Sequence, residues 1–135
     1  MAVVAAAITD GEGRWLLQKR PHGKRHAGLW EFPGGKVEPA ETHAQALVRE
    51  LNEELTIVVP GMGFAPVGRA EGAPGEGEPA IVITLYKVTA WAGTPRAEPD
   101  AELRWSTPDE IVLLPLPPLD RHLAMQLFGD ARQDA

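Results

Sequence analysis

Between Ala40 and Leu55 the apolar residues fall at Ala44, Leu47, Val48, Leu51 and Leu55, a spacing of three and four that defines one face of an amphipathic helix. Glu41 and Thr42 supply acidic and capping character at its start, where Pro39 is tolerated. Beside the apolar stripe, Glu50, Glu53 and Glu54 recur at i, i+3 and i+4 and so project from one side of the helix. Like charges at that spacing destabilise an isolated helix by about 0.2–0.5 kcal/mol per pair, so the arrangement makes better sense with cations among them. Carboxylate oxygens suit hard divalent ions, Mg2+ or Mn2+, which then bridge to substrate phosphates. A solvated acidic face explains a Glu-rich helix taken alone. It does not explain the glycine turn Pro33-Gly34-Gly35 that precedes the cluster, led into by Trp30-Glu31-Phe32.

The flanking segments place this helix in an α/β chain. Val3 to Ile8 reads as a strand, and Asp10-Gly11-Glu12-Gly13 followed by Trp15-Leu16-Leu17 suggests that it forms a hairpin. Gly28 to Phe32 reads as a short extended segment, Thr56 to Val59 as strand-like, and Ala80 to Trp91 as a long strand. Gly68 to Pro79 holds Gly, Pro and glutamates with nothing to bury and reads as a mobile loop. Leu103 to Trp105 is a shorter strand, Thr107-Pro108-Asp109-Glu110 marks a helix start, and Leu119 to Phe128 forms a second amphipathic helix. Strands interleaved with helices predict a three-layer α/β/α sandwich. The length of 135 residues fits one domain, expected over residues 1–129 with a polar tail at 130–135.

Composition narrows the function classes. Without cysteine there is no thiolate nucleophile, iron-sulfur cluster or zinc finger. A net charge of -6 argues against a general grip on a nucleic acid polymer or an anionic membrane, while leaving small anionic substrates open. Met1 to Ile8 lacks a basic flank and is closed by Asp10, which fits neither a signal peptide nor a membrane span. A cytoplasmic protein, monomer or homodimer, is expected. His22, His26, His43 and His122 show no metal-ligand spacing.

The glycine turn and acidic helix together resemble the Nudix hydrolases, whose signature is Gly, five residues, Glu, seven residues, then Arg-Glu-apolar-any-Glu-Glu-any-Gly-apolar. Gly35, Glu41, Arg49, Glu50, Leu51, Glu53, Glu54 and Ile57 match it. Leu29-Trp30-Glu31-Phe32-Pro33-Gly34-Gly35-Lys36 further resembles the MutT-type branch. The resemblance implies a Nudix-type α/β/α sandwich with a mixed β-sheet and a small-molecule nucleotide substrate. In the MutT type, water attacks a phosphorus of a nucleoside triphosphate to give the monophosphate and pyrophosphate, with 8-oxo-dGTP the leading substrate. It also implies that Glu50, Glu53, Glu54 and the carbonyl of Gly34 hold Mg2+, that Glu53 is the candidate base, and that Arg49 orients the carboxylates. Gly35 and Glu41 would support the loop, and Arg20 and Lys36 would contact phosphate. A further ligand is expected from Glu98, with Asp100 and Glu102 as rivals and a solvated acidic loop as the plain alternative.

Two positions depart from the pattern. Thr56 stands where the signature has Gly, and its β-branch disfavours the left-handed conformation by roughly 1 kcal/mol or more, so a remodelled helix end is expected. Asp120 lies where the resemblance implies a base-reading residue that is Asn in the strict 8-oxoguanine type. An ionised Asp only accepts hydrogen bonds, which favours bases that present amino or imino hydrogens, such as cytosine or the Watson-Crick edge of guanine. Asp at this position also resembles the Nudix pyrophosphohydrolases of cytidine nucleotides, and that resemblance implies a CTP or modified-cytidine pyrophosphohydrolase as the close alternative; capping of the last helix would be a structural role for the same residue. Phe32 is expected to wall the base. A Nudix-fold module that binds a nucleotide without cleaving it is the rival of another class, and the complete set of carboxylates speaks against it.

Overall fold

In the computed structural model, which describes residues 1–19, 28–73 and 80–133, the apolar run near the start of the chain is strand β1 (Ala2–Ile8). Both of its edges are occupied. β4 (Gly34–Lys36) pairs with it antiparallel, Gly35 opposite Val4, and β6 (Ile81–Val88) pairs with it parallel, Thr84 opposite Val4. β5 (Ala65–Gly72) adds antiparallel to β6 and completes a mixed sheet of order β4-β1-β6-β5. β2 (Trp15–Lys19), β3 (Trp30–Glu31) and β7 (Glu102–Ser106) form a second, antiparallel sheet of order β3-β2-β7.

The unbroken apolar character of β1 follows from burial on both faces. Val4, Ala6 and Ile8 join one core, which α1 (His43–Leu55) covers with Ala46, Leu47, Leu51 and Leu55. Ala5 and Ala7 join the other, covered by Leu123, Ala124 and Phe128 of α3 (Pro118–Gln133), with Ile111 from the short α2 (Pro108–Ile111). The result is the expected α/β/α sandwich with a mixed sheet, joined by a second, smaller sheet. Among the described residues no helix is long and apolar enough to cross a membrane.

Several local expectations need correction. β1 and β2 are not a hairpin: they lie in different sheets, linked by a single bridge between Thr9 and Trp15, because β4 and β6 already fill both edges of β1. The segment read as a loop from Gly68 is β5 as far as Gly72, and residues 74–79 lie outside the described ones. Its glycines are there for close approach: a Cβ at Gly68 would sit 2.9 Å from Gln126 Oε1, and one at Gly72 3.2 Å from Leu119 Cδ1. Thr56 to Val59 contributes only a bridge between Val58 and Ala92, and β6 stops at Val88, short of Trp91. α3 continues to Gln133, into the segment read as a tail.

α1 begins at His43, with Thr42 as N-cap: the Thr42 hydroxyl accepts from Gln45 N at 3.1 Å and Gln45 Oε1 accepts from Thr42 N at 2.9 Å. Thr107 and Glu110 form the same reciprocal pair ahead of α2. At the other end of α1 the expected remodelling is absent. Thr56 itself adopts the left-handed conformation, φ 57° and ψ 30°, and its N–H bonds to the carbonyl of Asn52 at 3.0 Å.

Candidate active site

The glycine turn meets α1 where the helix presents its carboxylates. β4 pairs with the middle of β1, and Gly34 is needed there because a Cβ would collide with the carbonyl of Val4 and stand 2.7 Å from Ala5 Cα. Gly35 faces the helix instead. A Cβ on it would fall 2.5 Å from both carboxylate oxygens of Glu50, so the missing side chain is the seat that Glu50 occupies.

Arg49 ties this arrangement together. Its Nε and one terminal nitrogen grip both oxygens of Glu41 at 2.8 and 2.9 Å, a bidentate pair. The same guanidinium donates to the carbonyl of Lys36 at 2.9 Å, to Glu50 Oε1 at 2.8 Å and to Glu53 Oε2 at 3.4 Å. Glu41 also accepts from Glu38 N at 3.0 Å, and these bonds, led by that from Arg49, hold its carboxyl down at about 2. Glu41 thereby anchors the loop between β4 and α1, and Arg49 faces two carboxylates in a fixed geometry. Glu53 is the open member, 58 % exposed.

Glu54 turns the other way, into the space between the two sheets. Its Oε2 accepts from Gly34 N at 3.0 Å and from Gln18 Nε2 at 3.3 Å, and the same Gln18 nitrogen lies 3.5 Å from Glu31 Oε1. Burial, then the charges of Glu50 and Glu31, push the Glu54 carboxyl up to about 8 against those two bonds. At neutral pH and without a cation it holds a proton.

These residues fit a hard divalent cation. The donors are carboxylate oxygens, one seated in a gap that a Cβ would close and another raised in pKa first by burial and then by neighbouring negative charge, the part that a cation would relieve. Among the described residues no three His, Asp or Glu side chains form a ready cage, in keeping with Mg2+ sites that rely on water and substrate phosphate for the remaining positions.

The other expected site residues fall in distinct places. Lys36 is exposed on β4, and its carbonyl is the atom that Arg49 uses. Arg20 lies outside the described residues. Glu98 is exposed in a turn closed by Ala101 N to its carbonyl at 3.0 Å, on a segment that Arg96 N joins to Leu55 O at the end of α1. Glu102 lies on β7 with Lys19 Nζ 3.9 Å away, and Asp100 takes a positive φ of 67°. Asp120 is buried at the start of α3 and reaches across to Phe32, whose N–H donates to Oδ2 at 3.0 Å. The Phe32 ring belongs to the core, 3 % exposed among Ala5, Leu17 and Leu123, which corrects the expectation of an aromatic wall open to a base.

Two residues were missed. In the sequence Glu31 stands out only as part of the approach to the turn, yet its charge reaches Glu54. Gln18 carried a signal of its own: a polar side chain in the run Trp15-Leu16-Leu17-Gln18-Lys19, where it is 7 % exposed.

A model of the NUDIX domain matches residues 1–127. The chain belongs to the Nudix family. It is 42 % identical over 122 residues to a CTP pyrophosphohydrolase of Escherichia coli K12, covering 89 % of this chain and 86 % of that protein. It is 37 % identical over 133 residues to putative 8-oxo-dGTP diphosphatase 2 of Mycobacterium tuberculosis, covering 96 % and 92 %. Among solved structures, the E. coli ORF135 protein superposes with a TM-score of 0.81 at 38 % identity, over 98 % of this chain and 91 % of the other. The MutT Nudix hydrolase of Burkholderia pseudomallei gives 0.79 at 30 %, over 93 % and 96 %. The Nudix chain is thus a hydrolase of phosphoric anhydrides, similar to MutT-type members.

Proposed function

We propose that this Nudix hydrolase is a Mg2+-dependent nucleoside triphosphate pyrophosphohydrolase of the MutT type, acting in the cytoplasm as a monomer or homodimer, with 8-oxo-dGTP as its leading substrate. The reading is carried by the Arg49 hub, in which one guanidinium holds Glu41, Glu50 and Glu53, with Glu50 in the seat left by Gly35. In this reading Glu50, Glu53, Glu54 and the carbonyl of Gly34 hold the cation. Glu98 is proposed to complete the set, from the segment that Arg96 joins to the end of α1. Lys36 and Arg20 would bind the phosphates.

Bound there, Mg2+ or Mn2+ would neutralise the triphosphate and lower the pKa of water. The residues of the chain do the rest. Water oxygen adds to a phosphorus, the bridging P–O bond to the departing pyrophosphate breaks, and the water proton passes to a carboxylate. Glu53 suits that last role because it is the exposed carboxylate, oriented by Arg49. The test is pyrophosphate release with Mg2+ across 8-oxo-dGTP, dGTP, CTP, dCTP, 5-methyl-dCTP, ADP-ribose and dinucleoside polyphosphates. Glu53→Gln is expected to lower kcat by about 10^2–10^4. Turnover of ADP-ribose with every triphosphate inert would overturn the MutT-type assignment.

A second reading, hydrolysis of cytidine triphosphates, is favoured by Asp120. Its carboxylate is an acceptor on a buried site, suited to the amino group of cytosine, and the E. coli relative bears the name CTP pyrophosphohydrolase. Higher kcat/KM for CTP or 5-methyl-dCTP, shifting toward 8-oxo-dGTP in Asp120→Asn, would establish it.

A further inference from the structure

The proposed chemistry uses the carboxylates of α1 and the turn before it, and leaves one buried polar side chain between the two sheets without a role. Gln18 belongs to the second sheet, between Leu17, which packs in one core, and Lys19. Its neighbour Leu16 packs in the other. A buried amide is costly without hydrogen bonds, so its partners matter. They are two acids: Glu54 Oε2 at 3.3 Å and Glu31 Oε1 at 3.5 Å.

Glu54 Oε2 also accepts from Gly34 N at 3.0 Å. One oxygen is thus held by donors from both sheets, β4 through Gly34 and β2 through Gln18. Oε1 receives no hydrogen bond from a described residue. The nature of the bridge is significant. An amide gives N–H to two neighbouring carboxylates without bringing positive charge, whereas a lysine or arginine in its place would neutralise the pair and compete with a cation.

We propose that Gln18 is a positioning residue for the cation site: with Gly34 N–H, its amide occupies Glu54 Oε2 and so presents Oε1 to the cation. The inference rests on the reading of Glu50, Glu53 and Glu54 as cation ligands. Partners behind a metal ligand commonly change metal affinity by about 10- to 100-fold when removed.

The test is direct Mn2+ binding to the full chain, by electron paramagnetic resonance or calorimetry, for wild type, Gln18→Met and Gln18→Leu. Both variants fill the space without a donor, and melting in EDTA checks their fold. Mn2+ should bind about tenfold or more weakly in each. The Mg2+ concentration for half-maximal activity should rise by the same factor, while KM for the triphosphate at saturating Mg2+ stays unchanged. A purely structural role would instead lower the melting temperature and leave Mn2+ affinity as it was. If wild type binds Mn2+ and both variants bind it equally well, the role of Gln18 falls alone. If wild type binds none, the cation reading falls and takes this inference with it.

Discussion

Thr56 holds a left-handed conformation that costs a β-branched residue roughly 1–2 kcal/mol, and the groups around it show how the strain is tolerated. Its hydroxyl donates to the carbonyl of Leu55 at 2.6 Å, and Arg96 N donates to the same carbonyl at 2.9 Å. Gly93 packs close behind, where a Cβ would stand 3.3 Å from Thr56 O. The end of α1 is therefore satisfied from outside the helix, and the chain keeps the geometry that the family obtains with glycine. Thr56→Gly relieves the strain but adds freedom to the unfolded chain, so stability should rise by about 0.5–1 kcal/mol. For a domain of this size that is roughly 2–5 °C in Tm, read by thermal denaturation. A lower Tm would mean that the hydroxyl bond outweighs the backbone strain. The departure from glycine is visible in the sequence, but the remodelled helix end it suggests does not occur, because Thr56 itself adopts the left-handed conformation. What single residues do not reveal is that Arg96 and Gly93, distant in the chain, make the strained conformation affordable.

At the level of elements, legibility tracked how local the determinants were. α1 was readable because apolar spacing, the Thr42 cap and the acidic face all lie within it. β1 was readable as a strand, but its partners were not, since pairing with β4 and β6 depends on which edges are free after the crossovers form. β5 was the hardest, because Pro66, Gly68 and Gly72 show no strand alternation. Its identity comes from pairing with β6 and from α3, where Gln126 Oε1 accepts from Arg69 N and Gln126 Nε2 donates to Arg69 O, both at 2.7 Å. That amide meets backbone groups on an edge strand, as a neighbouring peptide would. Gln126→Ala should lower stability by about 1–2 kcal/mol for the two bonds. It should also speed hydrogen exchange at the Arg69 amide relative to its neighbours in β5. Unchanged exchange at Arg69 would show that water replaces the side chain without loss.

Across the whole molecule, the candidate site is assembled at the seam of the two sheets, and this explains what the sequence left hidden. The carboxylates of α1 and the glycine turn are near in the chain, whereas Gln18 and Glu31 reach Glu54 only because the second sheet packs over it. That seam couples folding to pH and to the cation. With its carboxyl raised to about 8, Glu54 keeps a proton in the metal-free native state that the unfolded chain releases near 4.5. Its contribution is therefore complete below about pH 4.5 and is lost as pH rises through about 8. Asp10, Glu41 and Glu110 act on the opposite flank: their carboxyls are lowered by hydrogen bonds, so their contributions are present above the ordinary carboxylate range and are lost in acid. Melting in EDTA should accordingly show Tm declining from about pH 5 to pH 8.5. Mg2+ binds the ionised site and should raise Tm more at the alkaline end than at pH 5.5, flattening that decline. Glu54→Gln should flatten it without any metal, by removing the proton, and should also abolish most of the Mg2+ response. A Tm in EDTA that is level across this range in wild type would show that Glu54 ionises freely, and that the crowding of Glu31, Glu50 and Glu54 does not by itself call for a cation.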